Sequence, residues 1–70
     1  MTKRQRQMFD FIRGYWKEHG YSPSYREIAD GVGIRSISGV SRMLICLQER
    51  GLVTFLPHKA RSIFVTEEIS

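Results

Sequence analysis

The sequence predicts a small, mainly α-helical (α+β) domain of three helices followed by a two-stranded β-hairpin. Apolar residues recur at helical spacing over the first fifty residues, capping residues and glycines mark the helix ends, and β-branched and aromatic residues dominate after Gly51. A chain of 70 residues forms one domain, which buries only about 60% of its unfolded surface. Nearly all the large apolar residues must therefore serve one core, and little remains to build a deep catalytic cleft.

Helix 1 is predicted over TKRQRQMFDFIRGYWKEHG. Thr2 can cap its first turn because Gln5 follows three residues later, the spacing of a reciprocal capping box. Gly20 is well placed as the left-handed residue that ends the helix. Its apolar residues are Met8, Phe9, Phe11, Ile12, Tyr15 and Trp16. Phe9, Phe11 and Trp16 can also form a stacking platform for single-stranded nucleic acid, but their helical spacing favours a place in the core.

Helix 2 is predicted over SYREIADGVG. Ser24 and Glu27 repeat the capping-box spacing, and Gly33 ends the helix. Alternatively, Ser22 caps the helix and Pro23 is its first residue. The apolar stripe consists of Ile28, Ala29 and Val32.

Helix 3 is predicted from about Ile37 to Arg50, with Ser36 as its cap and Gly51 as its stop. Fourteen residues at ~1.5 Å each make a rod of roughly 21 Å. Its inner face consists of Ile37, Val40, Leu44 and Leu47. The opposite face then presents small or charged residues, namely Ser38, Gly39, Arg42 and Glu49, with Ser41 near the boundary.

The segments LVTFL and RSIFVT predict two strands joined by the turn-like PHKA. We expect Val53, Phe55, Ile63 and Val65 to close the core. A lone hairpin is marginal in water, so this one must pack on the helices. The sequence thus predicts a domain over residues 1–66 and a frayed tail over 67–70.

Net charge and cysteine content limit the function classes. Eleven Lys and Arg oppose seven Asp and Glu, for a net charge of +4, which favours polyanions but is also ordinary for solubility. The single cysteine, Cys46, allows no internal disulfide and is interpreted as a small filler, with a redox sensor as the alternative. No apolar run approaches ~20 residues, and no signal peptide is recognisable, so we expect a soluble cytoplasmic protein. His19 and His58 are too scattered for a metal site, and we expect no cofactor.

Two short helices joined by a four-residue turn and followed by a hairpin have the element order of a winged helix-turn-helix. In that geometry the second helix of the pair enters the major groove, and its first residues meet base edges. Hydroxyl groups can contact bases or phosphates, Gly39 permits close approach, and Arg42 can bind a guanine in bidentate fashion. The alternative to base reading is that Arg42 contacts a phosphate or forms a salt bridge.

Positive residues are predicted to share this surface. One lies in the turn before helix 3, one lies at the start of helix 2 beside two hydroxyl groups, and two flank the wing tip. These predicted phosphate contacts are Arg35, Ser24, Tyr25, Arg26, Lys59 and Arg61, with Lys3, Arg4 and Arg6 extending the surface.

The chain resembles the N-terminal DNA-binding domain of the LexA repressor family over about residues 2 to 65. The resemblance is carried by TKRQRQMFDFIR, GYSPSYREIADGVGIRS, LQERGLV and ARSIFV. It implies a winged helix-turn-helix that binds operator DNA and represses transcription. It also implies phosphate contacts at Ser24, Tyr25 and Arg61, and a base-reading surface formed by Ser36, Ser38, Gly39, Ser41 and Arg42.

The chain departs from this family in two places. Members of the SOS type carry an Asn and two acidic residues where this chain has Ser38, Ser41 and Arg42, so we expect a different operator. The wing has Pro57 and His58 in place of glycines. The family's self-cleaving protease half and dimerisation surface lie outside this sequence, so we expect no enzymatic activity here. Tight binding then requires a second copy on a neighbouring half-site.

A protein-interaction or dimerisation module is the main alternative function. Ile45, Cys46 and Phe64 could form an apolar patch for a partner, although Ile45 is equally suited to touch a thymine methyl group. A third alternative is a small hydrolase, but the sequence shows no nucleophile–base pair that would support this function.

Overall fold

The computed structural model describes residues 2–56, 59 and 61–66. The elements follow the predicted order: α1 (Lys3–His19), α2 (Tyr25–Val32), α3 (Ile37–Glu49), β1 (Val53–Phe55) and β2 (Ile63–Val65). The predicted three-helix fold with a C-terminal hairpin is therefore confirmed. Most of the predicted PHKA turn and the tail at 67–70 lie outside the described residues.

Local capping contacts define where α1 begins and ends. The hydroxyl of Thr2 accepts from the backbone N–H of Gln5 at 3.2 Å, and the Gln5 side chain accepts from the N–H of Thr2 at 3.0 Å. Gly20 adopts the left-handed conformation with φ 78°, and its N–H donates to the carbonyl of Trp16. The predicted capping box and stop are both confirmed.

A second capping box fixes the start of α2. The hydroxyl of Ser24 accepts from the N–H of Glu27 at 3.2 Å, while the Glu27 carboxylate accepts from the N–H of Ser24 at 2.8 Å. The helix therefore begins after Ser24, and the alternative start at Ser22 is not used. Gly33 ends it in the left-handed conformation, with φ 80°.

One core joins the three helices and the hairpin. Its buried residues are Met8, Phe9, Ile12, Ile28, Ala29, Val40, Leu44, Leu47, Val53, Ile63 and Val65. Phe55 packs against this core but is only partly buried. Ile37 was predicted to lie on the inner face of α3, and this prediction is wrong, because 45% of the residue surface is exposed. It occupies the first turn of α3, where an open depression takes the place of packing partners.

The hairpin is held along both edges of β2. Its antiparallel register pairs Val53 with Val65 and Phe55 with Ile63. On the far edge, the N–H of Ile63 donates to the Ser22 hydroxyl at 3.0 Å, and its carbonyl accepts from the Trp16 indole at 2.8 Å. These two bonds satisfy backbone groups that a short edge strand would leave open, and they fix the wing to α1 and to the segment after it.

Close packing between α1 and α2 depends on a glycine. A Cβ atom added at Gly31 would lie 2.6–2.7 Å from ring carbons of Phe11. Any side chain at this position would therefore push the Phe11 ring away.

Within the described residues, no helix is both long enough and apolar enough to cross a membrane.

Candidate nucleic-acid interface

The outward face of α3 matches the surface predicted from the helical wheel. Ser38, Arg42 and Ile45 are exposed, whereas Ser41 is only partly exposed at the boundary. The buried residues on the opposite side, Val40, Leu44 and Leu47, hold this face away from the core. The first two turns therefore present hydroxyl groups and one guanidinium to solvent.

Ser36 begins α3 and also lies on its exposed end. Its hydroxyl oxygen accepts from the N–H of Gly39 at 3.1 Å, which confirms the predicted cap. A hydroxyl group has one donor and two acceptor sites, so the proton and one lone pair of Ser36 stay available. The first N–H groups of the helix have no partner within it, and they carry partial positive charge. This end of α3 therefore suits a negatively charged group.

Gly39 has a packing role that sequence reasoning missed. A Cβ atom at this position would lie 3.0 Å from Ile34 and 3.3 Å from the Ser36 hydroxyl. The bare side of the glycine thus faces the turn between α2 and α3 rather than open solvent. The glycine therefore permits the close approach of this turn to the helix, in addition to the close approach to DNA expected from the sequence.

An open depression of about 680 Å³ lies between α2 and the start of α3. It brings together Arg26 and Arg35, two of the predicted phosphate contacts, with Asp30 and the exposed Ile37 at the same rim. Two guanidinium groups against one carboxylate leave an excess of positive charge. Sequence reasoning missed Ile37 at this site, because helical spacing alone assigned it to the core, and it gave Asp30 no role here.

The hydroxyl groups at the start of α2 differ in what they can offer. The Ser24 oxygen is already an acceptor in the capping box, so its proton is the group left to donate. Tyr25 is partly buried, and this burial raises the pKa of its phenol. Tyr25 therefore stays protonated near neutral pH and can act as a hydrogen-bond donor.

The two predicted cations of the wing have different surroundings. Lys59 is exposed, and among the described residues no hydrogen bond or ion pair holds its ammonium group. Arg61 instead folds back onto the helices, where its guanidinium donates to the Glu27 carboxylate at 3.0 Å and to the carbonyl of Ser22 at 3.1 Å. The structure thus brings Arg61 to the α1–α2 side of the wing, while Lys59 stays open to solvent.

The cations at the start of α1 are partly engaged within the chain. The Arg4 guanidinium donates to the carbonyls of Val32 at 3.1 Å and Gly33 at 3.4 Å, and so caps the end of α2. Arg6 forms an exposed pair with Asp10 at 3.6 Å. The Arg4 contact could not be foreseen from local sequence, since its partners lie 28 and 29 residues away.

Glu27 joins several of these elements and was treated only as a capping residue in the sequence. Its pKa falls to about 2, mainly because the backbone N–H of Ser24 donates to its carboxylate, with further donation from Tyr15 and Arg61. The carboxylate is therefore charged at all ordinary pH values.

Within the described part of the chain, no group of three or more potential metal ligands is present.

The apolar residues of the alternative interface are exposed to different degrees. Ile45 is 48% exposed and Phe64 is 38% exposed, whereas Cys46 is only partly accessible. The Phe64 ring also lies over Trp16, with 5.6 Å between the ring centroids. Part of the Phe64 surface is therefore already used within the chain.

Comparison with known proteins identifies the family of this fold and surface. Residues 1–62 match the LexA DNA binding domain. The chain is 46% identical over 68 residues to the LexA repressor of Syntrophomonas wolfei, which covers 97% of the chain and 33% of that protein. It is 43% identical over 65 residues to the LexA repressor of Koribacter versatilis, covering 93% of the chain and 31% of that protein.

A third relative, the LexA repressor of Pelagibacter ubique, is 40% identical over 65 residues, or 93% of the chain and 29% of that protein. The chain thus spans about a third of the length of the curated relatives it matches. The family match covers nearly the whole chain and includes the three helices and the first strand of the hairpin. This chain belongs to the LexA DNA-binding domain family.

Proposed function

We propose that this chain is the operator-binding domain of a transcriptional repressor and that it reads duplex DNA with the first two turns of α3. The observation that carries this proposal is the exposed polar face of Ser38 and Arg42, which adjoins a depression lined by two guanidinium groups. A helix with a slim hydrophilic leading end fits the major groove, where base edges differ between all four base pairs.

Base reading is assigned to the exposed end of α3. Arg42 has the reach and the planar donor pair to bind guanine, which is the commonest specific contact in the major groove. The hydroxyl groups each offer a donor and an acceptor, so they discriminate less sharply than Arg42. The proposed base-reading residues are Ser36, Ser38, Gly39, Ser41 and Arg42.

Phosphate contacts are assigned to the groups around this helix. Arg26 and Arg35 lie at one rim, Ser24 and Tyr25 offer hydroxyl donors, and Lys59 lies on the wing. Neutralising phosphates releases counterions and supplies most of the affinity, whereas base contacts supply the sequence preference. Arg61 was expected to join this group, but its guanidinium is bound to Glu27.

Tight binding is proposed to need two copies. A single module of this size buries only ~600–1,000 Å² of protein surface on DNA. Two copies on neighbouring half-sites add their contacts without any change in either module, and they place the half-sites at a spacing set by the helical repeat.

The test is the selection of bound duplexes from a random DNA pool, followed by affinity measurement at several salt concentrations. We expect one enriched motif and affinity that falls steeply as salt rises. A pool without any motif would contradict the proposal. Binding to a protein partner through Ile45 and Phe64, with weak dependence on salt and no motif, would favour the interaction-module alternative.

A further inference from the structure

We propose that Arg61 serves DNA binding as a positioning residue, because it clamps the wing to α1 and α2 through Glu27 instead of contacting phosphate. This inference rests on the proposed function. In this arrangement Lys59 is the wing cation that meets the phosphate backbone, and Arg61 determines where the wing holds it.

The contacts of Arg61 join three separate parts of the chain. Its Nη1 atom donates to Glu27 Oε1 on α2 at 3.0 Å and to the carbonyl of Ser22 at 3.1 Å. The hydroxyl of Tyr15 on α1 donates to the other carboxylate oxygen of Glu27 at 2.9 Å. The guanidinium also lies over the Tyr21 ring, 5.1 Å from its centroid.

The backbone at Arg61 supports a role for its side chain. Its φ is 50°, and it is the one non-glycine residue with positive φ in the described part of the chain. Glycine adopts this conformation without steric cost, whereas other residues persist there only when the surrounding structure holds them. An arginine at this point in the hairpin is thus explained by what its side chain binds.

Charge distinguishes the two cations of the wing. The Arg61 charge is balanced by the Glu27 carboxylate, and its Nη1 group donates to protein acceptors. A phosphate at Arg61 would compete with that carboxylate for the same guanidinium. Lys59 lies two residues away and exposed, so it can reach a phosphate without breaking a contact within the described residues.

Glu27 extends the clamp to the start of α2. The carboxylate oxygen that binds Arg61 also accepts the N–H of Ser24 at 2.8 Å. The wing is therefore tied to the same turn of α2 that is proposed to lie on the phosphate backbone. Through this connection, the position of the wing is fixed relative to the surface that binds DNA.

The test compares four forms of the chain on the selected duplex: wild type, Lys59→Gln, Arg61→Gln and Glu27→Gln. The logarithm of affinity is plotted against the logarithm of salt concentration, where each lost phosphate contact reduces the slope by about 0.9. We expect Lys59→Gln to reduce the slope by this amount. We expect Arg61→Gln to weaken binding by about two- to five-fold, as for a partly exposed ion pair, with the slope unchanged.

The Glu27→Gln variant tests the inference by the direction in which it changes the affinity for DNA. The substitution makes the chain more positive, so simple electrostatics predicts tighter binding to DNA. The clamp predicts weaker binding, to the same extent as Arg61→Gln, and no further loss in the Glu27→Gln/Arg61→Gln double variant. Tighter binding by Glu27→Gln, or a slope for Arg61→Gln as shallow as that of Lys59→Gln, would overturn the inference.

A loss of global stability is separated from a loss of position by two controls. Affinities are measured well below the melting temperature of each variant and are expressed per folded molecule, so partial unfolding alone leaves them unchanged. Arg61→Lys keeps the charge but loses the planar donor pair, and we expect it to bind as weakly as Arg61→Gln. Wild-type affinity in Arg61→Lys would show that the planar donor pair is not needed, and this would contradict the clamp. Failure of the wild-type chain to bind any duplex would instead refute the proposed function itself.

Discussion

The close contact between α1 and α2 allows one stability prediction to be made with a matched control. Gly14 and Gly31 both lie inside helices, and replacing a helical glycine by alanine ordinarily stabilises a protein by up to about 1 kcal/mol. A Cβ atom at Gly14 meets nothing within 4 Å, whereas one at Gly31 falls within 2.7 Å of three Phe11 ring carbons. The same substitution should therefore have opposite effects at the two positions.

The magnitude follows from the clash at Phe11. Inserting a methyl group into a packed contact costs about 1–3 kcal/mol, which outweighs the helix-propensity gain of about 1 kcal/mol. Gly31→Ala should thus destabilise the domain by up to about 2 kcal/mol, while Gly14→Ala should stabilise it by up to about 1 kcal/mol. For a domain of this size, each kcal/mol shifts the melting temperature by roughly 4–8 °C.

The assay is thermal and urea unfolding followed by circular dichroism on both variants and the wild type. Phe11→Leu supplies a further control, since removing part of the ring should reduce the cost of Gly31→Ala and leave Gly14→Ala unaffected. If Gly31→Ala proved as stable as Gly14→Ala, the proposed contact would not limit how closely α1 and α2 pack.

Three further predictions concern the interface and the wing. Arg42→Ala should relax the preference at one base position and cost ~1–3 kcal/mol there; a uniform loss across all duplex sequences would show that Arg42 binds phosphate instead. Because the pKa of Glu27 is lowered from 4.5 to about 2, the unfolded chain takes up a proton at this residue before the folded chain does. The free energy of unfolding of wild type should therefore exceed that of Glu27→Gln by its full amount above pH 4.5, and the difference should disappear as the pH falls toward 2. Urea unfolding of both proteins across this range measures the difference. A difference that stays constant with pH would show that the carboxylate is not its cause. Trp16→Phe removes the indole donor to the carbonyl of Ile63, and the buried carbonyl left without it should cost about 1–3 kcal/mol; amide exchange in β2 that stays as slow as in wild type would contradict this anchor.

The helix ends were predictable from sequence because capping acts over three or four residues. Thr2 with Gln5, Ser24 with Glu27, and Ser36 with Gly39 each form a hydrogen-bonded pair three residues apart. The change to alternating apolar residues after Gly51 likewise specifies the hairpin locally. These patterns also fix which side of α3 faces outward, and so the exposed positions of Ser38 and Arg42.

Long-range contacts decided the features that sequence reasoning missed. Arg61 and Glu27 are 34 residues apart, and Trp16 and Ile63 are 47 apart. No local pattern distinguishes an arginine that binds phosphate from one that binds a carboxylate on another helix. The difference depends on where the hairpin turns and on which side chains α1 and α2 present there.

The amino-acid sequence alone determined the order, the ends and the polar faces of the elements, since these depend on neighbours within a helical turn or a strand pair. Only the tertiary structure decided that Ile37 is exposed, that the bare side of Gly39 faces the turn, and that Arg61 points back to Glu27. Helical spacing gives the direction in which a side chain leaves its helix. What that side chain meets depends on where the neighbouring elements end, and this is set only when the whole chain has packed.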